Sequence, residues 1–367
     1  SLLSGAAPIN LSGVVSNTGV SLTLGDSNQT GDIRAGGQFQ VGTLSIGAGD
    51  FDVEFNTTSA TYVANQTAPV EFKNSGNVTL AGPGQTFAGG ISTVGVANTF
   101  VAGCVSTWAK DITLDNVTML DSSYNHRFDT RWKGPFPAGG NINISNFNST
   151  LSPSPTTVEF DIGNTTNTLT LSGSTESTNY LQFKGSGNVD VLGPANLAGQ
   201  VAAQNLVYSG LPLENTTPSL NFSDNVTLTG SMEFEGTTAT FANGVEGAGN
   251  DLTINFTQTS TVDGFANVAN FTSLGAADLN GTFTTSGSQN YAGDVSLSGD
   301  TELVATTVEF SDGLTGNSHD LTLSPSNSYI KLDGIQLSGV NELTIGSDLE
   351  LAGNLDAQNI DIQGNTT

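Results

Sequence analysis

"GSQNYAGDVSLSGDTELVATTVEFSDGLTGNSHDLTLS" (287–324) decides the fold of this chain. Within it "VSLSG" (295–299), "TTVEF" (306–310) and "LTLS" (321–324) each alternate an apolar residue with Ser, Thr or Glu, the period of a strand with one face buried. Strands start roughly every six to eight residues, too densely for hairpins joined by ordinary loops. The glycines that close most such strands supply the positive φ a corner needs.

The same grammar runs through all 367 residues. "SLTLG" (21–25), "VTLAG" (78–82), "LTLSG" (169–173), "VTLTG" (226–230) and "IQLSG" (335–339) are strands of this kind. Longer units also recur: "FKNSGNVTLAGPGQTFAG" (72–89) returns as "FKGSGNVDVLGPANLAG" (183–199), and "TTVEF" stands at both 156–160 and 306–310. Internal repetition of this sort admits two all-β architectures. Tandem β-sandwich domains would repeat at a fixed domain length. A parallel β-helix, or β-solenoid, tolerates unequal spacing because each coil contacts only its neighbours and loops vary. The two repeat families return at different separations, which favours one elongated β-solenoid over residues 1–367. At roughly 20 residues per coil and about 4.8 Å between coils, it would be a rod on the order of 85 Å long. Its open edges are templates for a further strand, so self-association, head-to-tail or lateral, is expected.

Composition narrows function. Eight Lys+Arg against 34 Asp+Glu give a net charge of −26, which argues against nucleic acid, whose binding needs clustered bases. No run approaches the length of apolar residues that spans a bilayer, so no membrane insertion is expected. With 45 glycines, long helices are disfavoured. The opening "SLLSGAAPIN" has neither a basic n-region nor an adequate apolar h-region, so either a signal peptide is already gone or the sequence is an internal fragment. A single cysteine, Cys104, excludes an internal disulfide framework and reads as a small buried core residue.

The opening stretch also resembles the repeats of filamentous-haemagglutinin-like adhesins, whose coils follow G-x-Q-x-Y-x-G-x-V-x-L; Gln289, Tyr291, Gly293, Val295 and Leu297 fit it. "GPGQTFAGGIST" (82–93) is a partial second match through Gln85, Phe87 and Gly89. The resemblance implies a right-handed parallel β-helix, secreted and displayed at the cell surface as a stalk or adhesive face, with host or matrix glycans and proteins as partners. The chain lacks the Asn-Pro motifs of that family's secretion domain.

One segment departs from the pattern. "YNHRFDTRWKGPFP" (124–137) holds Arg127, Arg131 and Lys133, three of the eight basic residues, with His126, Tyr124 and Trp132. Pro135 and Pro137 forbid a central strand, so residues 121–140 read as a lateral loop or insertion. Arg and Trp are favoured anchors of protein contacts, and a cationic patch on so acidic a chain has the surface of further copies available to it. Tyr124, His126, Arg127, Arg131, Trp132 and Lys133 are therefore the candidate interface or ligand-binding residues, with glycan recognition by Tyr124, Arg127 and Trp132 as the other use.

Catalytic and metal readings are weaker. Asp50, Asp52 and Glu54 share one strand face but read as a solvated row opposite inward Phe51, Val53 and Phe55. "EGAGNDLTI" (246–254) partly matches a calcium-binding glycine turn, so calcium is the one cofactor left open and no other is expected. Sixteen Asn-x-Ser/Thr triplets occur; Asn56, Asn65, Asn77, Asn221, Asn225 and Asn255 are candidate glycosylation sites, although turn chemistry selects the same residues. The expectation is a non-enzymatic extracellular structural or adhesive protein, a stalk or a filament or surface-layer subunit. The alternative is a glycan-binding or polysaccharide-degrading protein on the same scaffold.

Overall fold

The structure is a computed structural model that describes all residues except 3–4, 122, 132–138, 152–156, 164–165, 178, 186, 205–218, 223–225, 325–329, 333–335, 347–348, 352–353 and 364–367. Among the described residues every regular element is a β-strand. They stack as a parallel β-solenoid of about 14 turns. Strand Val53–Asn56 pairs parallel with Val78–Phe87, which pairs parallel with Thr99–Thr107. A sandwich is built from antiparallel sheets, so these ladders exclude the tandem-sandwich alternative.

The chain divides into two compact units, Ser1–Asp190 with Gln204–Pro218, and Val191–Ala203 with Ser219–Thr367. In the first, alternation sets the core. Ile33 lies beside Val53 and Val53 beside Val78, each nearly inaccessible, while Arg34, Glu54 and Thr79 point outward between them. Phe39, Phe55, Phe72 and Phe87 meet ring edge to ring face at centroid distances of 5.1, 6.2 and 6.4 Å. Each buried ring contributes about 1.5–3 kcal/mol relative to exposure. Phe51, Val53 and Phe55 are inward as the alternation requires, and Glu54 pairs with Arg34 at 3.3 Å.

A polar column marks the corner before these strands. Asp32, Asp52, Asn77, Asn98, Asn116 and Asn146 each stand one residue ahead of a strand. The Asp52 carboxylate accepts from the Asn77 backbone N–H at 2.7 Å and from its side-chain amide at 3.2 Å. Asn98 donates to Asn77 Oδ1 at 2.9 Å, Asn146 to Asn116 Oδ1 at 2.7 Å, and the Ser174 N–H to Asn146 Oδ1 at 2.9 Å. A turn leaves backbone groups unpaired, and short Asx side chains reach one coil away to satisfy them.

Glycine serves two purposes at the corners. Gly82 and Gly103 stand in register on adjacent coils with φ of +130° and +121°. A Cβ on Gly103 would lie 2.1 Å from the Gly82 carbonyl oxygen, so this position needs both the conformation and the absence of a side chain. Gly173, expected to supply positive φ, owes its place to close approach instead: a Cβ there would meet the Ser145 carbonyl oxygen at 2.2 Å.

The second unit repeats the scheme. Phe222 stacks on Phe241 at 5.1 Å in direct register. Asp251 accepts from the Asn270 backbone and side-chain amides at 3.1 and 2.9 Å, and Asp320 accepts from Asn341 at 2.6 Å. Gln289 and Tyr291 of the opening stretch are both fully buried. Gln289 donates to the carbonyls of Phe283 and Val304 at 2.8 and 3.1 Å, and Tyr291 donates its hydroxyl to Gln289 Oε1 at 3.0 Å. Glutamine two residues before tyrosine thus forms a satisfied polar pair inside an apolar coil. At the partial match the tyrosine is Phe87, and buried Gln85 Oε1 has no hydrogen-bond partner among the described residues.

Candidate functional site

The first unit carries the candidate site on one outer wall, built by registered side chains from successive coils. Gln40 stands beside Tyr62, Tyr62 beside Thr86, Thr86 beside Ser106, Ser106 beside Asp129, and Asp129 beside Asp161. Next to that file, Cys104 lies beside Arg127 and Arg127 beside Glu159.

The lower part of the wall is a charge cluster. Asp161 is fully buried and Asp129 almost so. Arg127 Nη2 lies 3.0 Å from Asp129 Oδ2 and 3.0 Å from Asp161 Oδ2, and Arg131 Nη2 lies 2.5 Å from Asp161 Oδ1. Asp129 Oδ1 also accepts from the Arg131 backbone N–H at 2.7 Å, and Lys184 pairs with Glu159 at 2.8 Å. Burial raises the Asp129 carboxyl above its ordinary range against the opposing pull of Arg127, with Asp161 adding to the rise.

Above the cluster the wall opens into a groove of about 740 Å³. Gln40, Tyr62 and Thr86 of the coil wall line it together with Ser123, Tyr124 and Asn125, and Cys104 and Arg127 are also in its lining. Tyr62 packs against Trp108 at 5.7 Å between ring centroids. Cys104 is half-buried in this wall rather than in the core, because its place in the alternation of Thr99–Thr107 is outward. Burial first, then Asp129, pushes its thiol up to about 12, with Arg127 pulling the other way, so it is protonated at neutral pH and a poor nucleophile.

The composition-based segment is therefore split. Residues 121–140 are not a loop throughout: His126–Asp129 is a strand of the coil wall, paired parallel with Thr99–Thr107 and Thr157–Asp161. Tyr124 lines the groove and Arg127 borders it. His126 points into the core beside Val158, and burial lowers its pKa, Asp121 opposing, so it is neutral at ordinary pH. Arg131 turns to Asp161. Trp132 and Lys133 lie outside the described residues, as does Asn225.

Sequence reasoning passed over Gln40, Tyr62, Asp129 and Asp161. A signal for the last two was present: "HRFD" (126–129) and "VEFD" (158–161) are the two strands that pair residue for residue. For Gln40 and Tyr62 no local signal exists, since only coil stacking brings them to one wall.

In the turn that partly matches a calcium-binding pattern, the Glu246 carboxylate accepts from the Ala248 N–H at 3.1 Å and from Asn267 at 3.0 Å, and Asp251 accepts from Asn270. These oxygens face N–H donors. Among the described residues no cluster of three His, Cys, Asp or Glu side chains is arranged to hold a metal ion. Of the candidate glycosylation sites, Asn56 is exposed, Asn65 donates to the Thr18 carbonyl at 2.6 Å, Asn77 is held in the corner column, and Asn221 and Asn255 are half-buried.

Comparison with protein-family models, with curated proteins and with solved structures finds no match to this chain. The repeat architecture thus stands on the coil geometry itself.

Proposed function

We propose that this protein is a non-enzymatic structural and adhesive protein of the cell exterior, its coils forming a scaffold of the haemagglutinin-like kind. The observation that carries the reading is how polar side chains are used. The corner Asx residues bond from coil to coil, as do Arg127 and Asp161 across their shared ladder. Such side chains hold neighbouring coils in register, which is what a load-bearing or displaying scaffold requires. Of the composition-based site residues, Arg127 and Arg131 are assigned here to the coil wall rather than to an interface.

Protease shaving of intact source cells, followed by mass spectrometry of the released peptides, tests the location. Peptides of this chain should appear in the shaved fraction without lysis. Their confinement to the cytosolic fraction would sink the proposal. Self-association belongs to the same reading and is read by light scattering over a concentration series, where a strictly monomeric protein removes the filament form.

A further inference from the structure

We infer that the groove lined by Tyr62 and Tyr124 is a binding site for a neutral oligosaccharide. The inference takes its biological setting from the adhesive reading above, but its argument rests on the groove alone. At about 740 Å³ the groove falls within the size range of small-ligand sites. It lies on a wall whose backbone is already committed to parallel ladders on adjacent coils. A peptide that binds by strand addition needs a free edge, which this wall does not offer. Recognition then rests on the lining, whose side chains include two phenol rings, the carboxamides of Gln40 and Asn125 and the hydroxyl of Ser123.

That set matches a polyhydroxylated ring. Hydroxyls and carboxamides both donate and accept, as sugar hydroxyls do. Aromatic faces supply rigid apolar area for the C–H face of a sugar, with the phenol oxygen left at the rim. Tyr62 is steadied by Trp108 behind it. Ala60 and Gly84 keep the lining open, and a Cβ on Gly84 would touch nothing nearer than 4.0 Å.

The charge balance selects the ligand class. Arg127 is the cation of the lining, and its guanidinium is held by Asp129 and Asp161 at 3.0 Å each. An anionic saccharide would approach a compensated cation on a chain of net charge −26. A neutral one meets no such penalty.

The test is calorimetric titration of the full chain with cello-, malto-, manno- and chito-oligosaccharides, with oligogalacturonate and a sulfated glycosaminoglycan as charged arms. Binding of at least one neutral series is expected, weakened at least ten-fold in Tyr124→Ala and in Gly84→Trp. Gly84→Trp adds bulk to the groove without removing a packing contact, so it keeps the test decisive where Tyr124→Ala fails to fold. Thermal melting confirms that each variant is folded. Absence of neutral-saccharide binding, binding by the charged arms alone, or full binding by folded Gly84→Trp each overturns the inference. None of these outcomes bears on surface location, which protease shaving reads separately.

Discussion

Arg127 binds Asp161 across a coil boundary, Nη2 to Oδ2 at 3.0 Å, with the carboxylate fully buried and the guanidinium about a quarter exposed. The residues sit on strands that are far apart in sequence and adjacent only because the coils stack. Asp161→Asn takes away the carboxylate that Arg127 and Arg131 share, while Arg127 keeps Asp129 at 3.0 Å, so the cost is below that of an isolated buried pair, about 1–3 kcal/mol. Asp161→Asn should therefore lower stability by about that amount in urea unfolding. A loss under about 1 kcal/mol would mean the cluster is solvated and has no structural weight.

Asp129 should behave in the opposite way. Burial is the main cause of its raised pKa, so the folded state holds this proton more tightly than the unfolded state does. Its contribution to stability is greatest at acid pH and falls as pH rises from the ordinary Asp value, near 3.9, through the folded pKa. Asp129→Asn should be no less stable than wild type at pH 7 and should lose that acid-side gain. Denaturation midpoints measured from pH 4 to pH 8 decide it.

Gly103→Ala places a Cβ 2.1 Å from the Gly82 carbonyl at a φ of +121°. Strain of this kind costs about 1–3 kcal/mol for the conformation alone, with the backbone clash added. Gly281→Ala, at φ +93° with nothing within 4 Å, isolates the conformational part. Chemical denaturation should show Gly103→Ala to be clearly the worse of the two.

Tyr291→Phe removes the hydroxyl that satisfies Gln289 Oε1 and leaves a buried acceptor unpaired, a loss of about 1–3 kcal/mol. Phe87→Tyr at the equivalent place should offer a donor to Gln85 Oε1 and raise stability by about 1 kcal/mol. Thermal melts of both variants check the pair.

Glycosylation should follow the corner column rather than the triplet count. The Asn77 side chain is half-buried in the corner column, its amide held on Asp52 at 3.2 Å and closed off from a modifying enzyme, whereas Asn56 is exposed and its amide bonds Glu54 at 3.3 Å on the open surface. Expressed in a glycosylating host, the chain should carry glycan at Asn56 and none at Asn77. Peptide mass spectrometry reads the occupancy directly.

Much of the fold was legible because alternation is local: Val53 and Phe55 inward around Glu54 follow from strand geometry alone. The recurring Asx before Val, Leu or Phe, as in Asp52, Asn77 and Asn270, was equally visible, and its meaning is the corner column. The candidate site was legible only in part. Arg127 stood out by composition, but its partner Asp161 did not, and Arg131 looked free for an interface until its carboxylate was found.

By itself the sequence determined an all-β chain, its inward and outward faces, its corners and its acidity, since each depends on neighbours within a few residues. Tertiary structure decided which outward residues meet. Register between coils is a long-range property, set by how much chain each turn contains, and it alone brought Tyr62 and Tyr124 to one groove and Arg127 onto Asp161.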